Sequence, residues 1–342
     1  MDTTRFIRWL FLSSALCFTS VIVVRAIIVP TLDLDALTAD ATIIALGEVT
    51  SIKQIGSEDV SFNDTLIKTR VEMATIRVDQ ILKGTAPTGV LVVRFHLSET
   101  PVGWGGIASL AYGVFFLKSG RSEAAEFTNL YYPLVLSVPG AAVNGDRPID
   151  RVVSAVGRVL ESTHSTASER MNAVFTLSRS KSAASTAALR AALRNPSVEG
   201  RLSAAGALLE RNDITGLDLT ADSLLHGSPD TSLPLYHNVL YGISEGVKDV
   251  HAVPVLKTLL DSRDSEIRRA AASALMHTQS QDAIGPLLTT LQDSDFDTRY
   301  YSAVGLAEIT GQTDWRPNEE DFRSDQAKYL KHWREWASSQ RN

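Results

Sequence analysis

Few residues in this chain stand at spacings that could do chemistry. Asp293-Ser294-Asp295-Phe296-Asp297 opens like a calcium-binding loop. Thr298 follows where the loop needs glycine, and Val304 stands where a bidentate glutamate is required, so the calcium pattern fails. Ser178-Arg179-Ser180-Lys181 has the form Ser-x-x-Lys, and Lys118-Ser119-Gly120 has the look of its companion. Their order is reversed relative to penicillin-binding enzymes, and no Ser-Asp-Asn is present. His96, His164, His226, His237, His251, His277 and His332 include no pair at metal-ligand spacing on one helix. The chain has no Gly-x-Ser-x-Gly and no P-loop. Gly103, Gly105 and Gly106 are not followed by a helix bearing the Lys or Ser/Thr of a phosphate cradle. Asn63-Asp64-Thr65 is a glycan acceptor only in a glycosylating secretory route. The reading is of a non-enzyme: no catalytic residues, no metal site and no cofactor.

What does recur at fixed spacing is architectural. Ala252 to Leu260, Asp264, Arg268 and Ala270 to Leu275 are matched 31 positions later by Ala283 to Leu288, Asp295, Arg299 and Ala303 to Leu306. A repeat of that length is a helical hairpin, which cannot bury its own apolar face and therefore stacks on neighbours. Leu189 to Leu193 and Arg201 to Leu208 extend the register backwards. Arg170, Ala173 and Leu177 extend it once more. Five hairpins are expected over 149–311. The third is the least regular, its candidate helices being Leu219–Leu225 and Leu233–Ile243.

The stretch Asp264-Ser265-Glu266-Ile267-Arg268-Arg269-Ala270-Ala271-Ala272-Ser273-Ala274-Leu275 resembles HEAT repeats, in particular the short bacterial repeats of the phycobilisome-lyase type. That resemblance implies an α-solenoid serving as a protein-binding surface. It also implies, as an alternative, an accessory factor or lyase-like role for a chromophore or cofactor. Within the unit, Asp264 and Asp295 stand where a carboxylate caps a helix and meets the positive end of its dipole. Arg268 is placed to reach Asp264 or the next repeat. Arg201, Arg268 and Arg299 form either an anion-binding ladder or a structural one, and the structural ladder is preferred. Offset by one residue lies a second row, Met171, Leu202, Arg269 and Tyr300, followed one turn later by Phe175, Gly206, Ser273 and Val304. If the second helix of each hairpin lines the concave side, this row crosses it. There it contacts a partner or packs on the next helix. Charging Tyr300 and Arg269 together is expected to abolish partner capture without lowering the melting temperature.

Before the array, residues 33–138 read as β. Thr42 to Val49 is of strand length, and Ile67, Thr69, Val71 and Met73 alternate before the phase passes to Ile76, Val78 and Gln80. That change of phase predicts a bulge near Ala74-Thr75. Further strands are expected at Gly89 to Phe95, Tyr112 to Leu117 and Phe127 to Val138, giving a small closed barrel or sandwich. The segment Ala39 to Val49, Ile81-Leu82-Lys83-Gly84 and Tyr112 to Leu117 resemble the OB-like or TIMP-like β domain of exported bacterial proteins. The cysteines of true TIMP relatives are missing, so protease inhibition is not implied. Residues 139–148 are rich in Gly, Pro, Asn and Asp and read as a linker. Residues 312–342 are expected to cap the array, with Asp325 starting a helix whose Tyr329, Leu330, Trp333, Trp336 and Ala337 share one face.

Arg5 and Arg8 precede an uncharged apolar run, Trp9 to Val24, the pattern of a signal peptide or an uncleaved anchor over 1–30. Both readings put the rest of the chain outside the cytoplasmic membrane, in a periplasmic or other extracytoplasmic setting, with membrane association through this segment. Cys17 is the only cysteine, so the body of the protein forms no internal disulfide. A net charge of −6 and aromatics clustered in apolar runs argue against nucleic acid. The expected partner is a protein.

Overall fold

The computed structural model describes residues 31–62, 65–86, 89–99, 106–120, 124–195, 197–227 and 234–340. The leader expected at 1–30 lies outside them, as do Asn63-Asp64 and the glycines at 103 and 105. A short helix the sequence did not announce, α1 (Leu34–Asp40), comes first, capped by Asp33. Strands β1 (Ile43–Phe62), β2 (Thr65–Lys83), β3 (Val90–Ser98), β4 (Tyr112–Lys118), β5 (Ala125–Phe127) and β6 (Leu134–Leu136) follow. The pairing runs β1–β2–β3–β5–β4 and returns from β4 to β1, with β6 added on β4. Of these pairs, β3–β5 is parallel.

Strand β4 explains its own sequence. Phe115 and Leu117 face a core shared with Ala74, Ile76, Val93 and Phe95. Val114 and Phe116 face the opposite way, into a core shared with helices. A strand buried on both faces needs apolar residues at every position, which is why Tyr112 to Leu117 shows no alternation. The phase change in β2 is real: Ile67, Thr69 and Val71 are buried on one side of it and Ala74 and Ile76 on the other. The bulge expected within β2 sits instead on its partner. Val49 faces Ile76 and Ser51 faces Thr75, leaving Thr50 as the extra residue on β1. The stretch expected as one strand from Phe127 to Val138 is two short ones, β5 and β6.

Residues 139–148, read as a linker, are held against the sheet. The Gln80 amide donates to the Val143 carbonyl at 2.8 Å and accepts from its N–H at 2.9 Å. Arg151 donates to the carbonyls of Gly145 and Leu82. One apolar core runs from Leu37, Ile44 and Phe116 into the first helices, and residues 31–342 form one compact unit.

The helices follow as successive pairs: α2 (Pro148–Glu161) packs on α3 (Ala167–Ser178), α4 (Ala183–Ala192) on α5 (Val198–Leu209), α8 (Val253–Leu259) on α9 (Ser265–Thr278), and α10 (Ile284–Thr290) on α11 (Phe296–Thr310), while the third pair, α6 (Leu217–His226) and α7 (Pro234–Tyr241), packs chiefly on α5 rather than on itself. The starts carry their caps in the side chains: Thr166, Ser182, Ser197, Asp264 and Asp295 each accept a hydrogen bond from the first turn of the helix that follows. The third pair is irregular for a visible reason. Helix α7 runs into a π-turn at Gly242–Gly246 that lies backbone to backbone on α5. A Cβ on Gly242 would come within 2.8 Å of the Gly206 carbonyl oxygen, and one on Gly246 would collide with that of Leu209.

At the far end stand α12 (Glu319–Ser324), a helix too short to show periodicity, and α13 (Gln326–Ser339). Phe322, Tyr329 and Trp333 are buried against the last hairpin, and Asp325 caps α13. Replacing Gly246 by Ala, which pushes a methyl into backbone, is expected to cost about 1–3 kcal/mol of stability. Gly285→Ala, in α10 with open space around the new methyl, is expected to gain about 0.5–1 kcal/mol. Guanidinium unfolding of the two variants measures the contrast. Equal effects would remove close approach as the reason for glycine at 246.

Candidate partner-binding face

The second helices α3, α5, α7, α9 and α11 pack side by side, each touching the next. Two grooves lie on the face they form. The first, of about 310 Å3, runs over α3, α5 and α7 and is lined by Met171, Phe175, Leu202, Gly206, Leu235 and Val239. Met171 and Phe175 are 41% and 45% exposed, unusual for large apolar side chains in a folded array. The Arg179 guanidinium rests over the Phe175 ring, 4.7 Å from its centre. The second groove, about 250 Å3, lies over α7, α9 and α11 and is lined by His237, Tyr241, Ser244, Glu266, Arg269 and Tyr301.

The row read from the sequence is therefore divided. Met171, Leu202, Phe175 and Gly206 line the first groove and Arg269 the second. Ser273 and Val304, expected on the surface, are 1% and 2% exposed. Ser273 turns inward because its hydroxyl donates to the Ser244 carbonyl of the π-turn at 3.3 Å. Arg269 is already engaged, meeting Asp295 at 3.0 Å and Asp297 at 3.1 Å. Tyr300 packs on Phe322, ring centres 5.7 Å apart. Charging Arg269 and Tyr300 together would thus break ion pairs and invade the cap, contrary to the expectation of an unchanged melting temperature. Tyr241 and Tyr301, which the register did not single out, take their place. Tyr241 is 61% exposed, and its signal in the sequence was only an aromatic at the end of the irregular helix.

The arginines one position earlier share a different task. Arg170 donates to the Ser162 carbonyl and Arg201 to that of Asn195. Arg268 donates to Ser262 and Arg263, and Arg299 to Asp293 and Ser294. Each thus ties down the loop before its own helix, satisfying carbonyls the turn leaves open. Among the described residues, Arg268 and Arg299 also reach forward. Arg268 grips both carboxylate oxygens of Asp293 at 2.7 and 2.8 Å, and Arg299 donates twice to the Gln326 side chain on α13. Of the two partners expected for Arg268, the next repeat is the one it grips. Asp264 instead caps α9 and accepts from the Tyr236 hydroxyl at 2.6 Å. Burial, then that bond to Asp264, raises the Tyr236 pKa. Asp295 caps α11 and holds Arg269; burial works against its ionisation, but the bonds from Arg269 and Thr298 outweigh it and its pKa is lowered. Asp293, noticed in the sequence only as the head of a failed calcium loop, is the acceptor that links two repeats.

A hydroxyl, an imidazole and a carboxylate also meet on the sheet. His96 lies 3.0 Å from the Thr69 hydroxyl through Nδ1 and 3.1 Å from Glu58 through Nε2. Thr69 is buried and gives its own proton to the Glu58 carbonyl at 2.7 Å. The hydroxyl is therefore a strand tie with its proton spent, the reverse of an activated nucleophile. Burial lowers the His96 pKa, with Glu58 opposing. Among the described residues no group of three or more His, Cys, Asp or Glu could hold a metal ion, and no helix is long and apolar enough to cross a membrane.

Residues 223–307 match the family model for HEAT repeats. No curated protein matches it. Among solved structures, the crystal structure of an engineered protein aligns at 18% identity over 48% of this chain and 83% of its own, with a TM-score of 0.34.

The Arg268–Asp293 clasp yields a prediction in pH. Arg268, first among the causes, holds the Asp293 pKa below its ordinary value. A carboxylate with a depressed folded pKa stabilises fully above its unfolded value, near 3.9, and loses that contribution as pH falls through the folded value. Arg268→Ala is expected to cost about 3 kcal/mol near neutral pH, since both partners are largely buried and Asp293 would be left unpaired. Below about pH 4 the gap between variant and wild type should narrow. Urea melts across pH test this, and a constant gap down to pH 2 would exclude the clasp as its source.

Proposed function

We propose that this chain is a non-enzymatic interaction scaffold that holds a protein partner on the face made by α3, α5, α7, α9 and α11, the concave side of the array. The observation that carries the reading is the first groove. It is roomy, lined mainly by apolar side chains, and includes Met171 and Phe175, large side chains left substantially in water. HEAT repeats support the reading, since such arrays serve chiefly as binding surfaces. The β region, with pairing that returns from β4 to β1 and one parallel contact between β3 and β5, fits an OB-like barrel whose outer face seats the first hairpin. The extracytoplasmic setting, with membrane association through the N-terminal segment, rests on Arg5, Arg8 and the uncharged run Trp9 to Val24, outside the described residues.

Met171→Glu together with Phe175→Glu tests the face. Both side chains are exposed, so the melting temperature should stay within a degree or two of wild type. Crosslinked capture of partner from the membrane fraction by the full chain should be lost. An unchanged set of crosslinked proteins would sink the proposal.

A further inference from the structure

The second groove differs from the first in chemistry, and the difference specifies a ligand. Tyr241 and Tyr301 flank it, with Tyr241 mostly exposed. Glu266 lines it and is 47% exposed in its side chain. Asp297 and Glu245 act on the Tyr301 hydroxyl, helping burial to raise its pKa. Against Glu245, Glu266, Asp295 and Asp297 stands Arg269, whose guanidinium is taken up by the two aspartates. His237 approaches Glu266 only at 4.0 Å. Glu266 is thus the carboxylate of the lining itself, with Glu245 next to the lining residue Ser244 and Arg269 neutralised by its two aspartates, and together with the aromatic faces this is an environment that attracts a cationic side chain.

We infer that the two grooves are read together by one basic peptide segment of the partner, its apolar residues entering the Met171–Phe175 groove and an arginine or lysine entering between Tyr241 and Tyr301. The inference rests on the scaffold reading above and names the partner's chemistry. Helix α7 forms a wall of both grooves, through Asn238 and Val239 on one flank and His237 and Tyr241 on the other. With packed helices spaced roughly 8–10 Å apart, the groove centres lie roughly 20 Å apart, a span of about six extended residues. A contiguous segment therefore reaches both.

The test uses the full chain and two fluorescein-labelled ten-residue peptides, each with leucines at one end. One carries three arginines at the other end, and its twin three glutamates. Fluorescence anisotropy should show binding of the arginine peptide alone, weakening as salt rises. Glu245→Gln with Glu266→Gln, two exposed charges, should weaken it about fivefold. Phe175→Glu should weaken it through the other groove. Equal binding of both peptides, or indifference to the glutamine substitutions, overturns the charge reading and leaves the scaffold reading standing. Full binding by Phe175→Glu overturns both.

Discussion

A helical hairpin has an apolar stripe on each flank, and a stack of them ends in two open stripes. Elements at both ends of the repeats here answer that constraint. At the front, α2 and α3 close on one face of the sheet, with Val152, Val156 and Leu177 sharing a core with Ile44, Val114 and Phe116. At the back, Phe322 and Trp333 close the last hairpin. The sheet is therefore a structural terminus of the array as much as a module of its own, and 139–148 is a seam between them.

Within the stack, burial is divided at one helix. Leu208 belongs to the core shared with the sheet, and its neighbour Leu209 to the core that runs on to Trp333. Helix α5 thus carries apolar residues on two flanks, with Ala204, Ala205 and Gly206 keeping it thin enough to sit between neighbours. The arginines add a different kind of order. Helix packing alone permits sliding, whereas a guanidinium bound to two loop carbonyls and a carboxylate of the next repeat admits one geometry. In Arg268 the guanidinium spends its donors within the fold.

The repeat register was legible because it rests on strict physical needs: an N-cap at Asp264 and Asp295, alanines where helices touch, an arginine that must reach loop carbonyls. Helix α13 was legible for a like reason, its aromatics falling on one face. What escaped had no period to show. Helix α12 is six residues long. Strand β1 continues to Phe62 through residues exposed on both faces, so alternation has nothing to report. The fate of Ser273 depended on a π-turn in another hairpin, and that of Tyr300 on a cap packed later in the chain. The first groove could be read from Met171 and Leu202 because apolar residues stood on a helix flank. In the second the register marked only Arg269, because Tyr241, Glu266 and Tyr301 come from three helices and show no shared period.

The irregular third hairpin links these observations. Were α7 a regular repeat helix, its last turn would carry side chains between itself and α5 and could not approach it so closely. Glycines at 242 and 246 instead let the π-turn drop onto the carbonyls of Gly206 and Leu209. That places Ser244 where it accepts from Ser273, and from His277 at 2.9 Å through Nδ1, drawing α9 toward the same turn. Helix α7 then stands as a fixed ridge, apolar on the α5 flank and aromatic on the α9 flank. Two glycines that line neither groove thus fix how closely the end of α7 approaches α5.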